Sequence, residues 1–198
     1  MKRIFLAVAV IIILSCNNTR VMSASNLNEY GRTEQVTDTF IHSLQQNNEL
    51  VLAFAVETYA WAKTINYRIL VKNKNEWKGY NYFVSITGGG SQKKEMVKVS
   101  NDECNAVWSF MQSKEAWKIT GDKGEDFCSG AKKSNCNIND GTTWRLLIIT
   151  KDKVTDPSYY EPAFFEKCCP GNEERKLFLE ATDKIKHAVP AVNGEEEE

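Results

Sequence analysis

Six cysteines and two histidines are the side chains of this 198-residue chain best suited to chemistry. The cysteines stand at Cys16, Cys104, Cys128, Cys136, Cys168 and Cys169, the histidines at His42 and His187. Zinc sites use close pairs of the C-x₂-C kind, with a second pair or histidines beyond them. The chain has no C-x-x-C, so no metal is assigned. Nucleophilic catalysis by a Cys–His or Ser–His–Asp set needs a base beside the nucleophile. His42 falls beside the apolar stripe of one predicted helix. His187 falls at the end of another, where the helix dipole favours a cation. Both read as structural or solvent-facing, and no catalytic residue is assigned.

The remaining motifs are short. Ser91-Gln92-Lys93-Lys94 and Ser129-Gly130-Ala131-Lys132 fit S-x-x-K, but the S-D-N and K-T-G companions that give it meaning are missing. Gly88-Gly89-Gly90-Ser91 leads into another predicted strand, whereas a phosphate loop needs G-x-x-x-x-G-K-[ST] opening a helix. Glu125-Asp126 and Asp152 with Asp156 lack the ligand spacing of a calcium loop. Two separated carboxylates would suffice for glycoside hydrolysis, and nothing in the sequence singles out a pair. No cofactor is implied.

The amino terminus carries an address. Lys2 and Arg3 are followed by the uninterrupted apolar run Ile4 to Leu14 and then by Ser15-Cys16. A positive start, an apolar run and a small residue make a secretory signal. The run is too short for a bilayer span, which needs about 20 residues. Ile13-Leu14-Ser15-Cys16 resembles the lipobox of bacterial lipoproteins, with Leu14 where a small or β-branched residue is more usual. The resemblance covers the leader alone. It implies cleavage before Cys16, lipid attachment to the Cys16 thiol and a membrane-anchored exported protein. One acyl chain holds only marginally, and two or more make the attachment durable. Among lipoproteins of some enteric bacteria, Asp after the cysteine retains the protein at the inner membrane. Asn17 stands here, so the resemblance favours the outer membrane. The competing reading is an ordinary signal peptide cut after Ala24, which puts the large Met22 at the upstream recognition position.

Residues 1–15 are thus expected as signal peptide and 16–31 as a polar tether. Residues 32–190 are expected as one domain and 191–198 as an acidic disordered tail. The 25 Lys and Arg nearly balance 26 Asp and Glu, four of which are the terminal Glu195 to Glu198. No basic stripe appears, so nucleic acid is not an expected partner. With Cys16 lipidated, five cysteines remain, and two disulfides plus one thiol is the simplest outcome. Cys168 and Cys169 are expected to diverge, because a ring across one peptide bond is strained. Cys128 and Cys136 bracket a Gly-, Ser-, Lys- and Asn-rich loop, so a local staple is expected there. Cys104 would then bond Cys168 or Cys169.

The elements that must position these residues follow from periodicity. A helix is predicted over 33–48, capped by Thr33, with Val36, Phe40, Ile41 and Leu44 as its stripe. The apolar run 50–61 reads as a buried strand, with a helix as the alternative. Residues 64–72 alternate, with Ile65, Tyr67, Ile69 and Val71 against Asn66, Arg68 and Lys72. Residues 79–87 alternate likewise, and Asn73-Lys74-Asn75-Glu76 makes the pair a hairpin. A short strand around Met96, Val97 and Val99 precedes a helix opened by Ser100 and Glu103 as a capping box. Cys104, Val107, Trp108 and Met111 share its inner face. A strand over 142–150 and a helix over about 173–188 complete the set. The class is α+β: an antiparallel sheet with about three helices packed mainly on one face, stapled by disulfides.

Aromatics give the last hint. Trp77, in a charged turn, and Tyr159 and Tyr160, near Pro157 and Pro162, are candidate binding-surface rings. Packing of the loop onto the sheet is the competing account. The functional expectation is a non-enzymatic, lipid-anchored envelope module that binds an unidentified protein or glycan. A carbohydrate-binding lipoprotein and an envelope hydrolase are the alternatives.

Overall fold

The computed structural model describes residues 38–58, 64–85, 91–122, 127–128 and 136–191. The signal segment, the Cys16 attachment site, the tether, the Gly88–Gly90 run, Ser129–Lys132, Glu125-Asp126 and the glutamate tail lie outside them. The described part is an α+β domain on one seven-stranded antiparallel sheet. The strands are β1 (Leu50–Thr58), β2 (Thr64–Asn73), β3 (Glu76–Ser85), β4 (Gln92–Val97), β5 (Thr142–Thr150), β6 (Val154–Thr155) and β7 (Ser158–Tyr160). Their order is β4-β3-β2-β1-β5-β6, with β7 paired to β5. The helices are α1 (Thr39–Asn47), α2 (Asn101–Ser113), α3 (Pro162–Cys168) and α4 (Glu173–Ala188). A 3₁₀ turn, Ala116–Lys118, follows α2.

β1 is central because its apolar run serves both faces. Leu50, Leu52 and Phe54 belong to one core cluster, with Leu70, Trp77, Leu146 and Ile148. The 3₁₀ turn, α2 and α4 cover that cluster through Trp117, Val107, Met111, Phe178 and Ile185. Val51, Ala53 and Ala55 point the other way and meet Ile41 and Leu44 of α1. A large apolar side chain so buried contributes about 1.5–3 kcal/mol. Among the described residues, α2, α4 and the 3₁₀ turn thus pack on one face and the nine-residue α1 on the other.

Two helix starts follow sequence logic. Ser100 Oγ accepts from the Glu103 amide at the head of α2. Glu173 and Glu174 open α4, favoured by its positive end. The α1 start differs from expectation. Asp38 caps it, with Oδ1 accepting from the Phe40 and Ile41 amides. Thr33 lies outside the described residues.

The disulfides correct the expected connectivity. Cys128 bonds Cys169 and Cys136 bonds Cys168, with Cα separations of 5.6 and 6.0 Å. The two bonds run from the 127–136 region to the end of α3, not across the loop. Cys168 and Cys169 diverge as expected, and Cys104 keeps its thiol. Cys104 points into the α2 side of the core, fully buried, where neither Cys168 nor Cys169 reaches it. Burial, with the Glu103 charge, pushes its thiol up to about 11.

The helix α3 and strand β7 were not predicted. Pro162 opens α3 and Glu161 enters it at φ 42, so seven residues leave little periodicity to read. Beside them Arg175 is 1% exposed. Its Nη1 donates to the Phe127 carbonyl and Nη2 to the Cys169 carbonyl, both at 2.7 Å. Its Nε donates to Glu166 Oε2 at 3.1 Å. Removing one partner of such a buried set costs roughly 3–5 kcal/mol. Peptide mapping without reductant is expected to return Cys128–Cys169 and Cys136–Cys168. Cys104 should alkylate only after unfolding; alkylation in the native state would contradict its placement.

Candidate functional site

On the helical face of the sheet, cross-strand partners form rows. Leu50–Lys72–Trp77 and Leu52–Leu70–Gly79–Val97 come first. Gly79 is required there, because a Cβ would sit 2.4 Å from Val99 Cγ1. These rows lie beneath α2 and α4. The next rows change character: Phe54–Arg68–Asn81–Glu95, then Val56–Asn66–Phe83–Lys93, then Thr58–Thr64–Ser85. Alternation places all of them on one face.

The change of character coincides with the end of α4. Arg68 Nη1 donates to the Lys186 carbonyl at 3.3 Å, and Asn81 Nδ2 to the Pro190 carbonyl at 2.8 Å. Lys186 Nζ stands 4.9 Å from the Trp144 ring centroid and 5.7 Å from that of Phe54. Beyond this edge lies a cleft of about 270 Å³. Its lining includes Asn66, Arg68, Asn81, Phe83, Lys93 and Glu95, with Phe54 and Ala191 at the helix side. Two amides, a guanidinium, an ammonium and a carboxylate therefore converge around one half-buried ring. Concavity and convergent polar groups are two marks of a ligand site, and this cleft has both. Thr58 and Thr64 hydroxyls bond each other at 2.7 Å just beyond.

The residues singled out by sequence go elsewhere. Trp77 is 5% exposed, not a surface ring. The strand β3 begins at Glu76, so Trp77 belongs to its core face. Its Nε1 donates to Asn105 of α2 at 2.9 Å, and its backbone amide to Asn101. Tyr159 is also buried, opposite Trp144 in β7 and 4.7 Å from Phe178 by ring centroids. Burial raises its phenol well above the ordinary range. Tyr160 is half-buried, and its hydroxyl accepts from the Gly141 amide at 2.9 Å. It fixes a loop instead of offering a flat face. The three rings do not share a surface.

His42 lies on α1, across the sheet from the cleft, and His187 is largely exposed, 3.5 Å from Asp183. Neither lines the cleft. Arg145 joins Glu57 at 2.6 Å and also Asp156, on the α1 face. Burial opposes its charge, but the two carboxylates outweigh that and hold its pKa up. Among the described residues, the sulfurs of Cys128, Cys136 and Cys169 are close enough to share a cation, but all three are in disulfides.

The cleft residues were visible as the polar half of an alternation. Asn66 and Arg68 alternate with apolar residues along β2, and Lys93 falls in an S-x-x-K. What sequence lacked was the register that sets β3 and β4 beside them. No protein-family model and no curated protein matches this chain. No helix among the described residues is long and apolar enough to cross a membrane.

The buried Tyr159 hydroxyl has no hydrogen-bond partner among the described residues. Removing an unpartnered buried hydroxyl relieves a desolvation cost. Tyr159→Phe is therefore expected to leave the melting temperature unchanged or raise it. A loss above about 1 kcal/mol in chemical denaturation would show that the hydroxyl is bonded.

Proposed function

We propose that this chain is an exported lipoprotein, cut before Cys16 and held by lipid on that sulfur at a membrane outside the cytoplasm. The leader pattern supports the anchor. Two disulfides in one domain fit an oxidising compartment. Asn17 supports the outer membrane over the inner.

The domain so tethered is a non-enzymatic binding module, and the cleft beyond α4 carries that reading. Its ligand is a protein segment or a glycan. The polar rows favour the glycan, because amides and hydroxyls outnumber apolar groups there and a protein-docking patch is more often apolar at its centre.

Two measurements test the reading. Intact mass of membrane-extracted protein should show an acylated chain beginning at Cys16. Cys16→Ser should release the protein from membranes; an unacylated native chain contradicts the anchor. Full-length protein in non-ionic detergent, offered a panel of glycans and peptides, should bind at least one. That binding should weaken in the Phe83→Ala and Lys93→Ala variants at unchanged melting temperature. No binding, or binding untouched by both changes, contradicts the cleft.

A further inference from the structure

We infer that the cleft takes an acidic saccharide, a chain of sugars bearing carboxylates. This rests on the reading of the cleft as a ligand site and names its ligand.

Charge comes first. Arg68 and Lys93 line the cleft and Lys186 stands at its edge, against the single carboxylate of Glu95 among the lining residues. A guanidinium has five N–H donors, and Arg68 gives one to Lys186. Its remaining donors suit the two oxygens of a carboxylate. Lys93 adds a point charge two strands away, on β4 and one row further along. Rooted in different strands and rows, the two cations can each take a separate carboxylate, as an extended ligand with repeated carboxylates provides.

The groups between the cations select sugar over acidic peptide. Phe83 lies directly opposite Asn66 on one side and Lys93 on the other. Its half-buried ring offers a flat apolar face of the kind that packs on the C–H face of a pyranose. Asn66 and Asn81 each carry a carbonyl acceptor and an amide donor, matching hydroxyls that both donate and accept. The Thr58, Thr64 and Ser85 row extends the hydroxyl-bearing floor. Glu95 beside Asn81 supplies a charged acceptor for sugar hydroxyls.

The test uses full-length protein in detergent and three probes: an oligogalacturonate, its methyl ester and polyglutamate. Loss of a charge-assisted hydrogen bond predicts about tenfold weaker binding. The oligogalacturonate should bind, the methyl ester and polyglutamate about tenfold more weakly or worse. Lys93→Ala and Phe83→Ala should each weaken oligogalacturonate binding several-fold at unchanged melting temperature, and salt should weaken it too. Methyl ester binding equal to the acid overturns the carboxylate requirement. Polyglutamate binding as tightly overturns the sugar, while leaving the cleft as a ligand site if Lys93→Ala still weakens it. Failure of all three probes overturns the inference; the wider glycan and peptide panel then decides the cleft itself.

Discussion

Arg175 is buried at the start of α4, and how its guanidinium is held fixes where that helix begins against α3 and Phe127. Its guanidinium makes three bonds to two pieces of chain: Glu166 and the Cys169 carbonyl in and at the end of α3, and the Phe127 carbonyl. Both disulfides meet the same corner. Replacing a buried ionic set with packed apolar groups is often no loss in stability. What the ionic set adds is direction, since each N–H demands a partner in one place. The head of α4 is thereby fixed to the end of α3 and to Phe127.

The other end of α4 is fixed by the sheet itself. Arg68 and Asn81 donate to the last carbonyls of the helix and its exit, which would otherwise lack partners. The helix therefore stops at the third row of the sheet face. Apolar rows lie under it and polar rows lie beyond it. The cleft is a consequence of that stopping point. The same Arg68 both ends the helix and floors the cleft, so structure and proposed binding share a residue.

Strand and helix identities were largely legible, because alternation in β2, β3 and β5 and the stripes of α2 and α4 are strong signals. Burial of β1 on both faces was legible from its unbroken apolar run. Cross-chain facts were not. Disulfide pairing depends on which loop lies against α3, and period alone says nothing of it. Trp77 was misplaced because its strand starts three residues earlier than the alternation of tyrosines suggested. Tyr159 was misplaced because three residues of β7 are too few to show a period. Arg175, flanked by charged residues at a helix start, carries no sequence signal of burial. The cleft escaped for a related reason: polar residues on a strand look like solvent-facing ones until register assembles them.

In the proposed reading, ligand contact falls on the polar rows beyond α4. Nuclear magnetic resonance of labelled protein titrated with oligogalacturonate tests it most directly. The side-chain amides of Asn66 and Asn81 and the backbone amides of Phe83 and Lys93 should shift together, with α1 on the opposite face unmoved. Shifts confined to α1, or to the disulfide corner around Cys169, would contradict the account.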